Sequence, residues 1–197
     1  MVAVFALTVL AVPAFGGRLG RVGSVNLRWP SLILVSLLIQ IAITSVFEVS
    51  KGVGTAFHLV SYVPLAAFFV LNRTTPGVLV TGTGTALNLI AIAANGGTMP
   101  ARASAVKTAG IPLQSAFENS APVRDANLWF LGDIFAVPKA LPLANVFSVG
   151  DVLIVLGAAW FIHAASGSRL ASAKYRSPVD AACEDQPAGS PAAIHAH

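Results

Sequence analysis

The sequence predicts an all-α fold, a polytopic transmembrane helical bundle of about five spans with a long ordered extracytoplasmic loop between spans four and five. The first observation behind this is composition: 55% of the 197 residues are hydrophobic and only 10% charged. A soluble domain carries roughly 25% charged residues, so this chain has too few to cover a surface facing water. The second is that the apolar residues fall into five runs separated by polar, Gly- or Pro-bearing breaks. The third is the placing of Lys and Arg, which lie in those breaks and form no single patch. That pattern suits membrane topology and leaves no nucleic-acid footprint.

Residues 2–16 are apolar from the start, and the nearest basic residues, Arg18, Arg21 and Arg28, come after them. Val12-Pro13-Ala14 only weakly imitates a cleavage site, so an uncleaved first span with its N-terminus outside is expected. Trp29-Pro30 marks an interface and the start of span two, 31–47. Span three is 53–71, with Pro64 as an expected kink. The turn Asn72-Arg73-Thr74-Thr75-Pro76 sets off span four, 77–94, and span five is 149–165. Each run reaches about the 17 residues that cross a ~30 Å hydrocarbon layer.

Sidedness follows from counting basic residues. Arg18, Arg21, Arg28, Arg73, Arg169, Lys174 and Arg176 fall on one side in short segments. Lys51, Arg102, Lys107, Arg124 and Lys139 fall on the other, four of them in the long loop. The expectation is N-terminus outside and C-terminus cytoplasmic, in a bacterial plasma membrane. Residues 1–166 would form the membrane domain, with 95–148 as an outer cap and 167–197 as a disordered, Ala/Ser/Pro-rich tail. The single Cys183 lies in that tail, which excludes an intramolecular disulfide and a Cys-based zinc site. No metal or cofactor is expected.

Polar residues inside the spans must find partners, because lipid supplies none. Gln40, His58 and Asn88 either lock helices together by hydrogen bonds or line a path for substrate or protons. His58, near a span end, is expected to meet water. Val80-Thr81-Gly82-Thr83-Gly84-Thr85-Ala86 lacks the strand and third glycine of a dinucleotide loop. Close helix packing through Gly82 and Ala86 accounts for it better.

In the loop, Asn95-Gly96-Gly97 followed by Met99-Pro100 ends span four. Ala101–Phe117 is expected as a short surface helix, and Leu128–Leu131 is too apolar for free loop, with Trp129 at headgroup level. So long a connection is expected to fold into a cap or to re-enter the membrane. Two carboxylates, Asp133 and Asp151, flank its end. Ser148-Val149-Gly150-Asp151 before an apolar run has the form of a capping box, which explains Asp151 by itself. Asp133, after Gly132, reads as a turn residue. Alternatively the two share a proton and activate water as a catalytic pair. Asn88, Asn95, Asn145 and Ser148 are the candidate binding residues around them.

Two resemblances attach to these residues. Gly16-Gly17-Arg18-Leu19, Leu27-Arg28-Trp29, Leu38-Ile39-Gln40, Asn95-Gly96-Gly97, Leu131-Gly132-Asp133 and Asn145-Val146-Phe147-Ser148-Val149-Gly150-Asp151 resemble a family of small bacterial multi-pass membrane proteins, a domain of unknown function. That resemblance implies membrane location and no activity. Locally, Asp133-Ile134 and Phe147-Ser148-Val149-Gly150-Asp151 resemble the end of lipoprotein signal peptidase, which would make Asp133 and Asp151 its aspartyl dyad. Ser148 stands where that family has Asn. Asn88-Leu89-Ile90 is followed by Ala91-Ile92, where its motif continues with Asp and Arg.

Three functions are therefore in play. The leading expectation is a non-enzymatic membrane protein that holds a lipid, another hydrophobic ligand or a partner under its cap. The others are an Asp-dyad peptidase or hydrolase at the outer membrane edge, and a small permease using Gln40, His58 and Asn88.

Overall fold

The computed structural model describes residues 2–45, 51–111, 120–121 and 125–171. It is mostly helical: α1 (Val2–Ala14), α2 (Ser31–Ser45), α3 (Lys51–Leu71), α4 (Val78–Ala94), α5 (Ala103–Ala109) and α6 (Val149–Ala165). Short 3-10 turns occupy Leu19–Ser24 and Trp129–Leu131. The five apolar runs each form a helix: α4 and α6 have 17 residues, α3 has 21, α1 has 13, and 15 are described in α2. Among the described residues only α3 holds a segment long and apolar enough to cross a membrane, Gly52–Leu71, while the other four apolar helices are shorter.

The all-α expectation holds for the bulk of the chain and is modified in the α4–α6 connection, whose described residues carry four short strands. β1 (Met99–Pro100) runs parallel to β2 (Ser120–Ala121), and β3 (Phe135–Val137) pairs antiparallel with β4 (Asn145–Phe147). In the second pair Phe135 lies opposite Phe147, and the rings stack at 5.3 Å. A single parallel bridge ties Ala101 to Asp133. The expected surface helix is the shorter α5, which buries Ala105, Val106 and Ala109 on one face and leaves Ala103, Ser104, Lys107 and Thr108 exposed. Residues 112–117 of that expectation, the end of span two, and the tail from 172 with Cys183 lie outside the described residues.

Two helix pairs make the bundle. In the α2–α3 pair, the Ser36 hydroxyl donates to the Ser61 carbonyl at 2.7 Å and Gln40 Nε2 donates to Ser61 Oγ at 3.1 Å. In the α4–α6 pair, backbones approach closely. A Cβ at Gly84 would overlap the Gly150 carbonyl, and one at Gly157 would overlap Thr81. Gly77, in left-handed conformation, lies against the Gly157 carbonyl and opens α4. The packing glycine of the Thr-Gly repeat is thus Gly84. Gly82 instead meets the Phe69 ring of α3, and Ala86 is exposed.

α1 docks on the end of α6. Arg18 N–H donates to the Ser166 carbonyl and Arg169 N–H to the Phe15 carbonyl, both at 2.9 Å. Val12 is fully buried there. At the same end Asn72 clamps the loop before α2, donating from Nδ2 to the Arg28 carbonyl at 2.9 Å and accepting from Arg28 N–H at 2.8 Å. The opposite end is closed by the α4–α6 connection. α4 stops in a Schellman turn, Gly97 N–H bonding the Ile92 carbonyl at 2.9 Å with Gly96 at φ 65°.

Candidate functional site

The start of α6 is fixed by the capping box that its sequence announces. Ser148 Oγ accepts from Asp151 N–H and Asp151 Oδ2 accepts from Ser148 N–H, each at 3.0 Å. Asn88, near the end of α4, completes the arrangement. Its Nδ2 donates to Asp151 Oδ1 at 2.9 Å, and its Oδ1 accepts from the Ser148 hydroxyl at 2.8 Å. A carboxylate can only accept, so the amide must turn its nitrogen to Asp151 and its oxygen to Ser148. Gly150 makes this possible, since a Cβ there would overlap the Asn88 amide. Ser148 is wholly buried.

Beside this knot lies a cavity of about 450 Å³ between the two helix pairs. Its walls are mostly aliphatic and aromatic, including Leu65, Phe69, Ile154 and Phe161, and its polar edges come from Gln40, Tyr62, Thr81, Thr85 and Asn88. The threonine hydroxyls are spent on their own helix, donating to the Gly77 and Thr81 carbonyls at 3.1 and 3.0 Å. Tyr62 makes no hydrogen bond among the described residues and lies within electrostatic reach of Asp151. Concave apolar space with a few converging polar groups is the usual form of a small-molecule site.

The structure brings together Asn88, Ser148 and Asp151 of the sequence candidates. Asn95 serves elsewhere: its amide accepts from Asn127 N–H at 2.9 Å and donates to the Asn127 carbonyl at 2.8 Å, clipping the connection to the end of α4. Asn145 is exposed on β4, and among the described residues its side chain accepts only from the neighbouring Val146 N–H, at 2.9 Å. Asp133 is buried in the connection, its backbone paired with Pro100 and Arg102. Gln40 and Asn88 share the cavity wall. His58 does not line it. His58 is half-buried: its Nε2 is buried without a hydrogen-bond partner among the described residues, and its ring lies 5.6 Å from that of Tyr62.

Tyr62 is the residue the sequence reading passed over. The available signal was a phenol inside an apolar run, where the hydroxyl needs either a partner or a ligand.

No solved structure matches the chain significantly. A protein of Thermotoga maritima, described only as uncharacterized, is 33% identical over 99 residues, covering 49% of this chain. The match spans 56% of that relative, little more than half its length. Residues 24–163 match the model of a family of unknown function, and with most of its length inside that match the chain belongs to this family, DUF5317.

Proposed function

We propose that this protein is a five-span membrane bundle whose function is to bind a small hydrophobic ligand between its helix pairs, without catalysing a reaction on it. The cavity beside Asn88 carries the reading. Its walls match an apolar molecule, and its few polar groups are enough to orient one.

Membrane embedding is supported by what the helices leave uncovered. Leu7, Leu10, Leu38, Val63 and Leu156 are all more than half exposed, and in water such a surface would be an aggregation liability. The shorter helices fit a bilayer thinned locally or met by flanking anchors. Arg18, Arg28, Arg73 and Arg169 border the segments joined at the end where α1 meets α6, which suits a cytoplasmic face. The tail would then be cytoplasmic. Its native Cys183 allows a direct check: intact cells should protect it from a membrane-impermeant maleimide, and permeabilised cells should not. Labelling in intact cells would reverse the sidedness.

The hydrolase reading has less behind it. Both Asp151 oxygens already accept hydrogen bonds inside the fold, from Asn88 and from Ser148. The binding reading is tested by purifying the full chain from membranes and analysing the organic molecules that accompany it. Ala158→Trp places an indole in the cavity. A co-purifying hydrophobic molecule should be present in the parent protein and missing from this variant. Equal recovery from both would remove the cavity as the site.

A further inference from the structure

We infer that the ligand of this cavity is an uncharged amphiphile whose head presents a carbonyl or hydroxyl oxygen to Tyr62 and Asn88. The inference rests on reading the cavity as a ligand site, and it specifies the chemistry of what fills it.

The lining contains no Asp, Glu, Lys, Arg or His. An ionic head brought into it would lose its hydration with no opposite charge to replace it, which is costly in low dielectric. A plain hydrocarbon has the opposite defect. The Tyr62 hydroxyl, which has no protein partner among the described residues, would face it unsatisfied. The suitable head therefore lies between these extremes, polar but neutral.

Which polar atom it carries follows from the donors left over. Thr81 and Thr85 have committed their hydroxyl hydrogens to α4 carbonyls. Asn88 has used its oxygen on Ser148 and one amide hydrogen on Asp151. Its second amide hydrogen has no acceptor among the described residues. The amide cannot flip to offer its oxygen instead, because that would set NH2 against the Ser148 hydroxyl hydrogen and oxygen against the Asp151 carboxylate. Gln40 Nε2 donates to Ser61 Oγ at 3.1 Å. The site thus presents the second N–H of Asn88 and the rotatable phenol of Tyr62 as its donors. Together they select a head that accepts. The aromatic and aliphatic walls formed by Leu65, Phe69 and Phe161 would take its tail.

Matched twelve-carbon probes separate the possibilities: dodecan-2-one, dodecane and dodecanoate, each offered to the detergent-solubilised full chain and read by native mass spectrometry. The ketone should be retained about fivefold more tightly than the alkane, the amount one added hydrogen bond supplies, and dodecanoate should be retained least. Tyr62→Phe should erase most of the ketone's advantage, in part by raising alkane retention now that no hydroxyl is left unsatisfied, and an unfolding midpoint in SDS mixed micelles equal to the parent's shows that the variant is folded. Equal retention of ketone and alkane in the parent, or preference for dodecanoate, overturns this inference and leaves the cavity reading in place. Retention of every probe unaltered by Ala158→Trp overturns the cavity reading itself, and this inference with it.

Discussion

The two helix pairs are held together by different physics. α2 and α3 meet through side-chain hydrogen bonds among Ser36, Gln40 and Ser61. α4 and α6 meet backbone to backbone, through Gly77, Gly84, Gly150 and Gly157, with the Asn88–Ser148–Asp151 knot at one end. In the bilayer proposed above, apolar side chains would gain little by leaving lipid for each other, so association would depend on close packing and on polar groups finding partners. The glycine seam uses the first and the serine seam the second. Between them the pairs touch lightly, and that is where the cavity opens.

Substitutions can break this contrast in a ranked order. Gly84→Leu should do most damage, because its side chain would collide with the backbone of Gly150 and Ile154, which has little freedom to yield. A loss of about 3 kcal/mol or more is expected, read as unfolding at much lower SDS fraction in mixed micelles. Ser148→Ala should cost about 1–2 kcal/mol in the same titration, since it removes a helix cap and strands the Asn88 oxygen. Gln40→Leu should cost only about 0.6 kcal/mol, the average of an interhelical hydrogen bond in lipid. Gly82→Ala should change stability by less than ~0.5 kcal/mol, because the helix propensity gained offsets a small shift of the Phe69 ring. If Gly82→Ala proves as harmful as Gly84→Leu, the glycine seam has been assigned to the wrong face of α4.

Local features were legible in the sequence, and meetings between distant segments were not. The apolar runs gave the helices to within a few residues at their described ends. Ser148 and Asp151 announced the α6 cap because both partners sit within one turn. Nothing local announces that Asn88 joins them, for it lies 60 residues from Ser148. The choice between Gly82 and Gly84 depended on which face of α4 meets α6, and spacing alone leaves that open. The strands β3 and β4 are three residues each, too short for an alternating pattern to stand out. The burial of His58 Nε2 was not legible, because position in the run gives depth along the helix axis and says nothing of the Tyr62 ring beside it.

The splice between Phe15–Arg18 and Ser166–Arg169 has a consequence for how the molecule is made. Helix α1 finds a neighbour in α6, so that contact must wait until the segment through Arg169 has been made. Contacts this far apart in sequence slow folding and lengthen the life of incomplete intermediates. A chain truncated before α6 would strand α1 without the partner that buries Val12, and quality-control proteases would meet it first at that helix.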